Sequence, residues 1–179
     1  MTHAHGGSGE RVFIPLNICV LTVSDTRTLD DDKSGNILAG RIEKAGHRLA
    51  DRAIVPDDVE TIRGQMREWL EREDVDVIIS TGGTGLTGRD VTIEAARGLF
   101  EKEIEGFQIG FFLVSWQKIG TSAMQSRATG GVAKGKYIFC LPGSTGAVKD
   151  AWDELLAKQF DLRTAPCNFV EMMPRLAER

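Results

Sequence analysis

Short apolar runs alternate with amphipathic stretches along the first half of the chain. From Leu16, the run Asn17-Ile18-Cys19-Val20-Leu21-Thr22-Val23 is apolar and β-branched without alternation, the pattern of a strand buried on both faces. It ends in Ser24-Asp25. A polar stretch with three consecutive acids, Asp30 to Asp32, leads to Ser34, after which Ile37, Leu38, Ile42 and Ala45 fall at helical spacing until Gly46 closes the segment. His47 to Val55 predicts a second strand, ended by Pro56. Asp57 and Asp58 then stand where a helix N-terminus welcomes negative charge, with Asp58 the cap if only one of them is structural. Val59, Ile62, Met66, Trp69 and Leu70 give that helix one apolar stripe. Asp76-Val77-Ile78-Ile79-Ser80 predicts a third buried strand that runs straight into Thr81-Gly82-Gly83-Thr84-Gly85.

This order of strands and helices, with short links, predicts right-handed crossovers and an α/β fold: three αβα layers around a mostly parallel central sheet. The second half predicts a helix over Thr92 to Phe100, with Thr92 as its cap, and another through Phe107 to Lys118. Ile109, Phe111, Phe112, Leu113, Val114 and Trp116 leave that last helix apolar nearly all round, so it is either a subunit interface or a central core helix. Ala128 to Val132 and Lys136 to Leu141, joined by Ala133-Lys134-Gly135, predict further strands. Pro142-Gly143-Ser144 then opens a helix with the stripe Val148, Trp152, Leu155, Leu156 and Phe160.

The 179 residues, 41% hydrophobic and 27% charged, suit one folded domain with an ordinary core. Residues 1–12 are expected to form a flexible tail and 13–179 the domain; His3 and His5 in the tail are read as solvated rather than as metal ligands. A net charge of −4 without any basic block argues against nucleic acid as partner. No window reaches the ~20 apolar residues of a membrane span, and Met1 to Gly9 has no basic segment followed by an apolar core. A cytoplasmic location with no membrane partner is expected. Cys19, Cys140 and Cys167, odd in number and widely spaced, read as buried free thiols.

In an open parallel sheet, ligands bind beyond the carboxyl ends of the strands. Four such loops carry unusual residues: Ser24-Asp25, Pro56-Asp57-Asp58, Thr81 to Asp90, and Pro142-Gly143-Ser144. The Gly82-Gly83-Thr84-Gly85 turn lets main-chain N–H groups approach an anion without Cβ interference, and Thr81 and Thr84 add hydroxyl donors. A tight structural turn would use the same glycines. Asp90 alters the balance, because a carboxylate beside a phosphate cradle is electrostatically awkward unless a cation lies between them, and Mg²⁺ reconciles the two. Asp57 is the second candidate ligand, alongside its plainer role as a charge at a helix N-terminus. Ser126-Arg127 adds a guanidinium suited to a second phosphate or to a surface ion pair, and the helix entered at Ser144 offers free N–H groups to another anion. Several anion sites suggest two phosphorylated ligands.

At these residues the chain resembles a known family. The run Thr81-Gly82-Gly83-Thr84-Gly85 with Asp90 after it, Thr22-Val23-Ser24-Asp25 on the first strand, Asp32-Lys33-Ser34-Gly35 entering the first helix, and Leu141-Pro142-Gly143-Ser144 resemble the molybdopterin-binding fold of molybdenum cofactor biosynthesis. Gly120-Thr121-Ser122, Ser126-Arg127 and Arg163 to Phe169 are most similar to its MoaB branch, and MogA and gephyrin G-domains are more distant. The resemblance covers roughly residues 14 to 170. It implies that Mg-ATP donates AMP to the terminal phosphate of molybdopterin with release of pyrophosphate, that Asp57 and Asp90 are the essential acids, positioning Mg²⁺ and ATP, and that the particle is a trimer or hexamer. It also implies a molybdenum-insertion protein as a partner. On this reading the glycine turn with Thr81 and Thr84, and also Ser24, Asp25, Ser126, Arg127, Pro142, Gly143 and Ser144, contact phosphate or pterin. The alternative from another class is a non-catalytic protein that holds or delivers molybdopterin. A nicotinamide-dependent reductase is disfavoured, since no glycine fingerprint follows the first strand.

Overall fold

Strand β1 (Asn17–Val23) is an inner strand of the sheet with all but its first residue buried, as a β-branched run without polar alternation requires. The structure is a computed structural model and describes residues 11–178, so the expectations for His3 and His5 lie outside the described residues. Helix α1 (Lys33–Lys44) carries the chain from β1 to β2 (Arg48–Val55), and α2 (Val59–Glu71) carries it to β3 (Val77–Thr81). β2 and β3 flank β1 and are both parallel to it.

Next come α3 (Thr92–Arg97), β4 (Lys102–Glu103), α4 (Glu105–Ile119) and a 3₁₀ segment (Gly120–Gln125). β5 (Thr129–Ala133) and β6 (Lys136–Leu141) form an antiparallel hairpin. Its tip, Lys134-Gly135, has φ of 48° and 73°; two positive values match the twist of a two-residue hairpin turn. β6 pairs parallel with β3, giving the sheet order β2-β1-β3-β6-β5-β4. The short β4, absent from the expected elements, closes the far edge antiparallel to β5. The chain then enters α5 (Thr145–Asp150), which continues through a π-helical stretch (Ala151–Leu156) into α6 (Ala157–Gln159); α7 (Phe169–Met172) lies near the C-terminus.

Each face of the sheet carries its own core. Ile18, Val20, Ile79 and Phe139 meet Leu38, Phe107, Phe111 and Trp152 on one side. Cys19, Leu21, Ile78 and Cys140 meet Ile62, Met66 and Trp69 of α2 and Ile93 of α3 on the other. The alternate residues of each strand thus serve both layers, which is why the sequence shows continuous apolar runs.

Two expectations are corrected. Cys19 and Cys140 are buried, with burial pushing both thiols up to about 12, but Cys167 is exposed in the segment leading to α7. Helix α4 is not a central core helix: only Phe107, Phe111 and Ser115 are buried, while Ile109, Leu113 and Trp116 are 59%, 56% and 43% exposed. Among the described residues, no helix is long and apolar enough to cross a membrane.

Candidate active site

All four loops singled out from the sequence emerge at the carboxyl edge of the parallel strands, around the point where the chain leaves β1 for β2 on one side while β3 lies on the other. The glycine turn is wedged between strand ends. Gly82 has φ of 100°, and a Cβ there would lie 2.3 Å from the Val23 carbonyl oxygen, so any side chain is excluded by backbone. Gly143, from the loop after β6, packs so closely that its Cβ would be 3.2 Å from Gly82 Cα. Thr81 is fully buried and its Oγ1 donates to the Pro142 carbonyl at 3.1 Å, tying these two loops together. Thr92 does not cap α3 as expected. Val91 holds the cap position, and Thr92 Oγ1 instead donates to the Gly82 carbonyl at 2.9 Å, fixing the turn from below.

Two acids stand beside this turn. A Cβ on Gly83 (φ 64°) would meet Asp57 Oδ1 at 2.8 Å, and one on Gly85 would meet Asp90 Oδ2 at 2.7 Å. The carboxylates therefore occupy space that glycine leaves open. Asp58, not Asp57, caps α2, accepting from Thr61 N at 2.8 Å, so Asp57 is free of that duty. Burial first, and then the charges of Asp25 and Asp90, push the Asp57 carboxyl above its ordinary value, with Arg89 pulling the other way. Asp90 moves in the opposite direction. The Thr87 hydroxyl and N–H bond its Oδ2 at 2.6 and 3.0 Å and hold it below the usual carboxylate range.

The remaining predicted residues divide by what their side chains already do. Ser24 Oγ accepts from the N–H groups of Thr26 and Arg27 at 3.3 Å, shaping the loop after β1. Asp25 accepts the Asp57 N–H at 3.1 Å and is paired with Arg89. Ser144 caps α5 by accepting from Ala147 N at 3.1 Å. Thr84 is buried, and its carbonyl receives Arg127 Nε at 3.0 Å. Arg127 also donates to the Gly85 and Asp90 carbonyls and pairs with Glu94, so its guanidinium clips the loop after β3 from within. Ser126 is half-buried beside it.

One buried acid of this edge was not among the candidate residues. Asp32, fully buried, caps α1 through Gly35 N at 3.0 Å, accepts Thr22 Oγ1 at 2.5 Å and pairs with Arg52 at 2.9 Å. Burial raises its carboxyl, but Thr22, Gly35 and Arg52 outweigh that and hold it below the ordinary value. Its place in Asp32-Lys33-Ser34-Gly35, directly before a helix pattern, was the available signal.

Among the described residues, no three His, Cys, Asp or Glu side chains come together as a ready-made metal site. A cation held by Asp57 and Asp90 therefore needs oxygens from a ligand. A cavity of about 1180 Å³ lies elsewhere, lined by Lys102, Tyr137, Phe169 and Met172 at the opposite end of β6, and contains none of these loops.

A doubly wound sheet whose switch point presents a glycine-rich turn beside two carboxylates defines an α/β domain with a candidate ligand crevice at the carboxyl ends of its strands. The family described as "Probable molybdopterin binding domain" matches residues 19–161. The molybdenum cofactor biosynthesis protein B of Escherichia coli strain K12 is 48% identical over 157 residues, spanning 88% of this chain and 92% of its own. A crystal structure of a molybdenum cofactor biosynthesis protein B superposes with a TM-score of 0.85 at 39% identity, covering 94% of this chain and all of the other. The tungsten cofactor synthesizing protein MoaB from Pyrococcus furiosus gives 0.73 at 34% identity, covering 82% and 93%. The chain belongs to this molybdopterin-binding family of molybdenum cofactor biosynthesis proteins.

Proposed function

We propose that the protein is a molybdopterin adenylyltransferase: with Mg-ATP as co-substrate it transfers AMP to the terminal phosphate of molybdopterin. An oxygen of that phosphate attacks the α-phosphorus of ATP, the bond from the α-phosphorus to the bridging oxygen breaks, and pyrophosphate departs with that oxygen. The nucleophile is already an anionic oxygen, so no side chain has to be acylated or phosphorylated. What the chain must supply is position and compensation of charge.

The observation that carries this reading is the pair Asp57 and Asp90, each lying where a Cβ on Gly83 or Gly85 of the turn would stand. Carboxylate oxygens suit Mg²⁺, and the rest of its shell would come from phosphate oxygens and water. When bound, the ion neutralises charge on the polyphosphate. Asp57, raised by burial and by two neighbouring acids, is the carboxylate that gains most from a cation. The Gly82 N–H is already taken by the Leu141 carbonyl at 3.0 Å, so the Gly83 N–H is the one left for a phosphate or pterin oxygen, while Thr81, Thr92 and Arg127 hold the loops that carry it.

The apolar face of α4, with Ile109, Leu113 and Trp116 exposed, is covered on this reading by further copies of the chain, in a trimer or hexamer. A molybdenum-insertion protein would take the product. Incubation of the purified protein with Mg-ATP and molybdopterin should release pyrophosphate in proportion to adenylylated product. No release above the blank, with molybdopterin still bound, would favour a non-catalytic binding or carrier protein.

A further inference from the structure

We infer that Arg89 is a phosphate-binding residue held back by Asp25, and that an arriving polyphosphate takes its guanidinium from that carboxylate. The inference rests on the reading that this crevice receives polyphosphate. Arg89 lies in the loop after β3 and Asp25 in the loop after β1, so their ion pair spans the crevice at the switch point. The Arg89 side chain is 69% exposed, and Asp25 is its one hydrogen-bond partner among the described residues.

The other arginines of this edge are committed to the fold. Arg127 is spent on three loop carbonyls and Glu94. Arg52 bonds Asn36 at 2.6 Å and neutralises the fully buried Asp32, which would be left an uncompensated charge if Arg52 turned away. Arg27 bonds Ser34 and lies 3.8 Å from the same carboxylate. Arg89 carries no such burden. An exposed ion pair contributes little, whereas a guanidinium on phosphate forms stronger, bidentate, charge-assisted bonds. The exchange therefore runs toward the ligand.

The local structure suits a side chain that swings on a fixed backbone. Asp90 binds the Thr87 N–H and hydroxyl, and Arg127 grips the carbonyls of Thr84, Gly85 and Asp90, so the loop is anchored on both sides of Arg89. Asp25 is likewise retained after release, because its Oδ1 still accepts the Asp57 N–H. In the free protein the pair keeps the Asp25 charge neutralised and the crevice bridged. In the complex it delivers a cation to the phosphates that Arg127, spent on loop carbonyls, cannot supply.

Calorimetric binding of magnesium pyrophosphate and Mg-ATP to wild type, Arg89→Gln, Asp25→Asn and the double variant tests this. Asn at 25 keeps an acceptor for the Asp57 N–H while dropping the charge that holds Arg89. Both side chains are exposed, so melting temperatures should stay near wild type, and Arg89→Lys, which keeps the charge without the fork, should bind between wild type and Arg89→Gln. Arg89→Gln should weaken binding on the order of 10-fold or more. Asp25→Asn alone should tighten it several-fold, and that gain should vanish in the double variant. Wild-type affinity in Arg89→Gln, or an equal gain from Asp25→Asn with and without Arg89, would overturn the inference while leaving the site's reading intact. Failure of the wild type itself to bind either probe would overturn both.

Discussion

Gly83→Ala asks the most of the glycine turn. The residue has φ of 64°, and an alanine there incurs about 1–2 kcal/mol for the left-handed conformation. Its Cβ would lie 2.3 Å from Thr92 Oγ1 and 2.8 Å from Asp57 Oδ1, both too close to coexist. Thr92 is buried at the start of α3 and its hydroxyl serves the Gly82 carbonyl, so pushing it aside forfeits that bond and leaves a shielded acceptor, about 1–3 kcal/mol more. The total is about 2–5 kcal/mol out of the ~5–15 that hold such a domain together. At roughly 2–4 °C per kcal/mol for a chain of this size, Tm should fall by about 4–20 °C. Urea denaturation and calorimetry measure it, with Gly64→Ala as control. Gly64 lies within α2 with nothing near its Cβ, and its replacement should stabilise by about 0.4–1 kcal/mol. If Gly83→Ala and Gly64→Ala gave the same small change, the turn would not be holding Asp57 and Thr92 in contact with its backbone.

Asp57→Asn and Asp90→Asn should each slow pyrophosphate release on the order of 10²-fold while molybdopterin still binds, as a pterin-binding titration beside the turnover assay would show; normal turnover in either would remove that acid from the reaction. Trp116→Lys, on the uncovered face of α4, should shift the particle toward monomer in light scattering with little change in the monomer's own fold, and an unchanged mass would place the interface elsewhere. His47 is buried, its Nδ1 accepting the Leu16 N–H at 3.1 Å, and burial depresses its pKa from the ordinary 6.5, although Asp161 acts in the other direction. Its folded form resists the proton that its unfolded form accepts, so its contribution is complete above about 6.5 and is lost as pH falls below that. The urea midpoint of the wild type should therefore drop between pH 7 and pH 5, and His47→Gln, which keeps an acceptor without titrating, should flatten that slope.

The strands that set the fold were legible because burial on both faces leaves an unbroken β-branched run, as in β1 and β3. The four loops were legible for the same reason: once the strands are placed, their carboxyl ends follow, and glycine and acid clusters stand out against apolar runs. What escaped depends on partners distant in sequence. Asp32 resembles Asp30 and Asp31 until Thr22 of β1 and Arg52 of β2 are brought against it. Arg127 could face a ligand or its own chain, and only the fold shows it turned to Thr84, Gly85 and Asp90. Thr92 has the residue type of a helix cap, but the Gly82 carbonyl lies within reach and takes its hydroxyl. β4 has two residues and no periodicity to read. An apolar helix such as α4 carries no mark of whether its own chain or another covers it.

On the proposed reaction, Asp57 and Asp90 tolerate polyphosphate between them because a divalent cation compensates the charge. Calorimetric titration of ATP into the protein, with and without magnesium, tests it directly when repeated on Asp57→Asn and Asp90→Asn. The wild type should bind tightly only with magnesium, and each variant should show a much smaller magnesium dependence. Equal affinity with and without the metal in the wild type would contradict it.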